Sequence, residues 1–102
     1  MTPLSLLSAV VTLDASLAGW TLLDRGTQAD RVARHHVVFE RSFAAPPVVH
    51  VGIAGIDVSK DDNVRVRVRA LDITSSGFVV EAATWLNTKI WSVDVSWLAI
   101  GT

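Results

Sequence analysis

Two tryptophans of this sequence stand where they could take part in binding. Trp85 and Trp91 flank a polar turn at residues 87–89, in a chain that has four Trp and no Tyr. An aromatic ring in such a place can pack under the apolar face of a sugar ring while polar groups fix the hydroxyls. Packing in a core or at an interface explains both residues equally well from the pattern alone. Strand alternation predicts that Trp97 lies in the core, and it leaves Trp20 unassigned.

Three arginines form a basic stripe along one strand. Arg65, Arg67 and Arg69 alternate with apolar residues and therefore share a face. They could form a charged ladder, on the surface or at a subunit interface, by pairing across strands with Glu81 and Asp94. Alternatively, at least one of them holds a polar ligand through forked hydrogen bonds. A formal net charge of −1 gives no support to a nucleic-acid partner or an anionic membrane.

The residue types that catalysis and metal binding need are present without the required arrangement. His35, His36 and His50 lie in no recognisable nucleophile motif, and the first two, adjacent on a strand, point to opposite faces. Residues 57–63 alternate oxygen donors as calcium loops do, but the glycine at the sixth position is missing and Val68 replaces the bidentate glutamate. The chain has no cysteine, which excludes disulfides and thiolate sites. We therefore expect a protein that is not an enzyme and uses no metal and no cofactor.

Length and composition indicate one globular domain over residues 1–102, because half of the 102 residues are hydrophobic. The apolar run at residues 3–13 lacks a basic segment before it and is far shorter than the ~20 residues of a membrane span. We expect residues 1–17 to form a first strand or arm. We also expect no membrane insertion, and a protein that is cytoplasmic or released without a classical leader.

The elements that position these residues are strands, because period-two alternation is the dominant pattern. It predicts strands over residues 3–13, 35–43, 47–56, 64–71, 78–86 and 93–100, with residues 24–34 as the longest irregular stretch. The last strand should bury one row of side chains, formed by Val93, Val95, Trp97 and Ala99. The strand before it should place two rows on opposite faces. One row is Phe78, Val80, Ala82 and Thr84, and the other is Val79, Glu81, Ala83 and Trp85. Short strands with no credible helix predict an all-β sandwich or barrel.

Several ordered motifs resemble those of the H-type lectin domain family. They are residues 43–49 (FAAPPVV), 56–57 (ID), 63–66 (NVRV), 77–78 (GF), 84–92 (TWLNTKIWS) and 95–97 (VSW), together with 18–20 (AGW). The run at residues 84–92 is the most specific of them. The resemblance implies a six-stranded antiparallel β-sandwich that assembles as a homotrimer, sometimes paired into a hexamer. It also implies binding of N-acetylgalactosamine or galactose in a shallow cleft between neighbouring protomers.

The same resemblance implies the residues of the sugar site. The family's ligand arginine corresponds to Arg65, its site tryptophan to Trp85 and its stacking tyrosine to Trp91, while its backbone-contacting glycine falls on Gly26. Arg65 and the loop of Gly26 would bind sugar hydroxyls. Trp85, Leu86 and Trp91 would form an apolar wall donated by the adjacent subunit.

Two positions depart from the family pattern and bear on sugar preference. Leu86 stands where the snail-type site has a histidine, and Gln28 stands where it has an aspartate that helps to read hydroxyls. Asp24 or Asp30 could substitute for that aspartate. We expect a multivalent lectin for glycans ending in N-acetylgalactosamine or galactose. The alternative is a trimeric structural or attachment module that binds no sugar.

Overall fold

The computed structural model describes residues 3–24 and 29–102, and these residues form six antiparallel strands in two sheets. The strands are β1 (Ser5–Asp14), β2 (Arg31–Val38), β3 (Val48–Val58), β4 (Arg67–Leu71), β5 (Gly77–Thr84) and β6 (Ile90–Gly101). One sheet has the order β1-β6-β3 and the other has the order β2-β5-β4. The all-β fold expected from the alternation and the six-stranded antiparallel sandwich implied by the resemblance are therefore confirmed. Within the described part of the chain, no helix is long and apolar enough to cross a membrane.

The core lies between the two sheets and is built by the central strand of each. Val93, Val95, Trp97 and Ala99 of β6 are all buried, as their alternation predicts. The facing row on β5 is fully buried: Phe78, Val80, Ala82 and Thr84. Burial of a Val or Phe side chain contributes about 1.5–3 kcal/mol, so these two rows are a main source of the energy that holds the sheets together.

Aromatic residues close the sandwich at the end where β2 runs into β3. The ring centroids of Phe39 and Phe43 lie 5.2 Å apart in an edge-to-face arrangement, and Phe39 and Phe78 both pack against Trp97. The predicted core position of Trp97 is confirmed, since only 8% of its surface is exposed.

The predicted bounds of β2, residues 35–43, are wrong. Arg31 to Val38 pair without interruption with β5, so the first four strand residues come from the stretch predicted to be irregular. Beyond Val38 the chain leaves the ladder: the amide of Phe39 still donates to the Ser76 carbonyl in register, whereas the amide of Phe43 donates to the Ser75 carbonyl out of register. Those hydrogen bonds direct both phenylalanines into the core.

Strands β4 and β5 are also shorter than predicted at one shared end of their ladder, where β4 begins and β5 ends. Strand β4 begins at Arg67 and not at residue 64, because the Thr84 hydroxyl takes the place of a ladder partner and donates to the Arg65 carbonyl at 2.5 Å. Strand β5 ends at Thr84, two residues earlier than predicted. Leu86 then takes a positive φ of 55°, which no strand residue adopts. The other three strands, β1, β3 and β6, match their predicted positions to within three residues at either end.

The outer face of the β2-β5-β4 sheet carries a charged row across three strands. Glu81 receives hydrogen bonds from Arg34 at 2.8 Å and from Arg69 at 2.7 Å. The expected ladder thus exists for Arg69, but the two arginines cover Glu81 so well that 1% of its side chain is exposed. Asp94 does not join this row, because β6 belongs to the other sheet, where the Thr12 hydroxyl donates to its carboxylate.

Candidate functional site

Sheet register brings three connections to one end of the sandwich. Asp14 at the end of β1 pairs with Ser92 near the start of β6, and Arg31 at the start of β2 pairs with Thr84 at the end of β5. The described parts of the β1–β2, β3–β4 and β5–β6 connections, residues 15–24 with 29–30, 59–66 and 85–89, therefore meet there. These segments and the first residues of β6 contain the expected sugar-binding positions that the structure describes, Arg65, Trp85, Leu86 and Trp91.

Arg65 is held between two buried threonines at this end. Its guanidinium donates to the Thr88 hydroxyl at 3.1 Å, and its own carbonyl accepts from the Thr84 hydroxyl. The Thr88 hydroxyl in turn donates to the carbonyl of Asn63 at 2.5 Å. Both threonines are nearly inaccessible to solvent, so they fix the β3–β4 connection against the β5–β6 connection.

Trp85 stacks against an arginine that is itself paired with an acid. The Arg67 guanidinium lies 5.2 Å from the centroid of the Trp85 ring and donates to the Asp30 carboxylate at 2.6 Å. Such a cation–π contact is worth about 0.5–1 kcal/mol at an exposed site. Asp30, one of the two acids considered as a substitute for the family aspartate, thus lies beside the tryptophan on which the motif centres. Asp24 instead contributes its backbone carbonyl to the Arg31 guanidinium.

The remaining apolar candidates are open to solvent. Leu86 is 41% exposed and Trp91 is 45% exposed. Among the described residues, no hydrogen bond or ring contact joins Trp91 to Arg65, Trp85 or Leu86 within one chain. Within one chain, Arg65 is held by the two threonines on either side of the Trp85–Leu86 segment, and Trp91 lies on β6. Gly26 and Gln28 lie outside the described residues, so their expected roles remain predictions.

Sequence reasoning missed a buried arginine beneath these loops. Arg31 is 7% exposed, and its guanidinium donates to backbone carbonyls on both the β1–β2 and β5–β6 connections. A charged residue next to an irregular stretch is ordinarily solvated, so no local pattern marks it. Thr84 and Thr88 were also not assigned to the site. The position of Thr84 in the buried row of β5 was the available signal.

Comparison with known proteins identifies the fold and the family. The H-type lectin domain model matches residues 34–100. A Fuscovulum blasticum protein described as ATP synthase subunits region ORF 7 is 38% identical over 72 residues, which cover 71% of this chain and 63% of the relative. Discoidin-2 of Dictyostelium discoideum is 28% identical over 79 residues, which cover 76% of this chain and 30% of that protein.

The solved structures agree with the sequence relatives. Native recombinant discoidin II of Dictyostelium discoideum matches with a TM-score of 0.80 and 25% identity, over 96% of this chain and 37% of that chain. Wild-type discoidin II gives a TM-score of 0.79 over 97% of this chain and 37% of that one. This chain spans less than two thirds of the length of each of these relatives. Because the family model covers more than half of the chain and the fold agrees, the chain belongs to the H-type lectin domain family.

Proposed function

We infer that this protein is a lectin that binds glycans at the end of the sandwich where Arg65 and Trp85 lie. Its activity is binding and not catalysis. Terminal N-acetylgalactosamine and galactose are the sugars we assign to it, and the functional unit is a homotrimer with one site between each pair of neighbouring protomers. Membership of the H-type lectin domain family supports this assignment.

The state of Arg65 is the observation that carries the proposal. Arg34 and Arg69 are paired with Glu81, and Arg67 is paired with Asp30. Arg65 forms no ion pair with the described carboxylates, and Thr88 is the one side chain in that part of the molecule to which it donates. A guanidinium has five N–H donors. Arg65 is thus fixed in position, half-buried, and retains donors that can bind sugar hydroxyls.

The exposed apolar residues supply the second half of a sugar site. Trp91 and Leu86 present open apolar surface, as the underside of a pyranose ring requires. Among the described residues, no hydrogen bond or cation–π contact joins Trp91 to Arg65 within a protomer, which fits a cleft that takes its arginine from one protomer and its apolar wall from the next. Gln28 or Asp30 would then read the hydroxyls for which the family uses an aspartate.

The test is a glycan-array screen of protein whose mass in solution has been measured by light scattering. Arg65→Ala should leave the oligomeric state measured by light scattering unchanged. It should weaken sugar binding about tenfold or more, as expected when charged hydrogen bonds to a ligand are lost. Arg41→Ala is the matched control, because Arg41 is exposed and lies beyond β2 at the opposite end of the sandwich. Unchanged binding by Arg65→Ala would remove Arg65 from the site. A trimer that binds none of the saccharides on the array would identify a structural module and overturn the assignment of this protein as a lectin.

A further inference from the structure

Backbone carbonyls of the β1–β2 and β5–β6 connections both accept hydrogen bonds from the guanidinium of Arg31. Nη1 donates to the carbonyl of Asp24 at 2.6 Å and lies 3.3 Å from that of Leu22 and 3.4 Å from that of Thr21. Nη2 donates to the carbonyls of Leu86 and Thr88, each at 2.8 Å. One planar group thus binds five backbone oxygens from two loops that are adjacent in space but more than 50 residues apart in sequence.

Arg31 is placed for this task by the register of its strand. It is the first residue of β2 and pairs with Thr84, whose side chain belongs to the buried row of β5. Opposite residues of an antiparallel pair project to the same face. The Arg31 side chain therefore enters the sandwich beneath the loops.

The electrostatic partners of Arg31 are backbone dipoles. No described carboxylate forms an ion pair with it, and its Nε has no hydrogen-bond partner among the described residues. A buried cation is expensive unless it is compensated, and here the carbonyl oxygens of the two loops provide the compensation. Displacement of either loop would remove acceptors from the buried charge, so the arginine restrains both loops at once.

The restraint reaches Arg65 and Trp85 through the β5–β6 connection. Thr88, whose carbonyl Arg31 binds, uses its hydroxyl to hold the guanidinium of Arg65. Leu86, whose carbonyl Arg31 also binds, follows Trp85 directly in the chain. On the other loop, the hydrogen bonds end at Asp24, two residues before Gly26.

We propose that Arg31 is a positioning residue that sets the relative placement of the two site loops, and through it the affinity for sugar, without contacting the sugar. This inference rests on the proposed function for its sugar readout. Lysine cannot replace Arg31, because a single ammonium lacks the planar fork that reaches both loops.

The experiment compares Arg31→Lys with wild-type protein by calorimetric titration with N-acetylgalactosamine. Arg31→Lys should bind at least about tenfold more weakly with the number of sites per protomer unchanged, since small displacements of binding groups have effects of that size. If the variant were merely partly unfolded, the number of sites would fall and the affinity would not. Wild-type affinity in Arg31→Lys would overturn the proposal.

A control and a second readout separate this inference from the proposed function. Val49→Ala removes a half-buried side chain paired with Ala99 at the far end of β6, and it should lower the melting temperature without changing affinity.

Amide hydrogen exchange needs no sugar. Arg31→Lys should accelerate exchange at Ile90, whose amide donates to Leu22, and not at Phe43 at the opposite end. If wild-type protein binds no sugar but this change is seen, the positioning role stands and the proposed function fails. Unchanged exchange at Ile90 would overturn the positioning role.

Discussion

At the scale of single residues, Leu86 combines an exposed side chain with an unfavourable backbone conformation. Its φ of 55° turns its carbonyl towards Arg31 while 41% of the residue remains exposed. A non-glycine residue in the left-handed region costs on the order of 1–3 kcal/mol, and a β-branched residue is worse than leucine there. We expect Leu86→Val to lower the free energy of unfolding by about 1 kcal/mol relative to Leu86→Gly. Urea denaturation of the two variants measures the difference.

Asp72 provides the control for backbone strain outside the site. Its φ is 51°, and it directly follows the last residue of β4, whereas the candidate site lies beside the first residues of β4. Asp72→Val should also reduce stability but should leave sugar binding unchanged. Leu86→Val should impair both. Equal stability of Leu86→Val and Leu86→Gly would show that the left-handed conformation is not maintained in solution.

The sequence marks the motif residues of the candidate site but not the buried residues that support them. Arg65, Trp85 and Trp91 belong to specific motifs, and their residue types suit a polar ligand with an apolar face. Arg31 and Thr88 gain their importance from partners that are distant in sequence, such as Leu86 for Arg31 and Asn63 for Thr88. Because those partners are backbone carbonyls, which every residue has, no residue pattern could identify them.

At the scale of elements, the charged row on the β2-β5-β4 sheet should make stability depend on pH. Burial raises the pKa of Glu81, but hydrogen bonds and charge from Arg69 and Arg34 outweigh it and hold the pKa below the ordinary value of 4.5. The stabilisation is therefore fully present above about pH 4.5 and is lost as the pH falls through the folded-state pKa. Glu81→Gln should reduce the free energy of unfolding by about 1–3 kcal/mol at pH 7. The difference from wild type should shrink towards pH 2–3.

Urea midpoints at pH 7 and pH 3 test this difference. Glu40→Gln is the matched control, since Glu40 is exposed and lies outside the row, and such surface changes usually stay within about 0.5 kcal/mol. Asp14, whose pKa the Ser16 hydroxyl and amide lower, contributes equally to all three proteins and cancels in the comparison. A stability gap that persists undiminished at pH 3 would contradict the assigned role of Glu81.

The two sheets show which parts of the fold alternation can predict. It predicts the buried rows of β6 and β5 well because these are the central strands, where one row of side chains must be buried whatever surrounds it. It misplaces β2, an edge strand whose Arg34, His35 and His36 are all exposed, so that burial imposes little pattern on it. The late start of β4 depends on one threonine hydroxyl, which alternation does not register.

At the scale of the whole molecule, the proposed trimer should convert weak sites into useful affinity. The apolar surfaces of Trp91 and Leu86 are open, so a bound sugar would keep part of its hydroxyl hydration and one site would bind weakly. Three sites on one assembly make the later contacts intramolecular. That effect can raise the apparent affinity by about 10²–10⁴ without any new contact.

We therefore expect binding to a surface densely coated with N-acetylgalactosamine to exceed binding to the free sugar by about 10²–10⁴. Calorimetry with the free sugar and surface plasmon resonance on the coated surface give the two values. Diluting the immobilised sugar until neighbouring sites of one trimer cannot be occupied together should reduce the surface value to the calorimetric one. If the two affinities agree even at high density, then either the chain does not assemble or its sites face away from one another. In both cases the proposed trimer would not raise the apparent affinity of the weak site at the loop end.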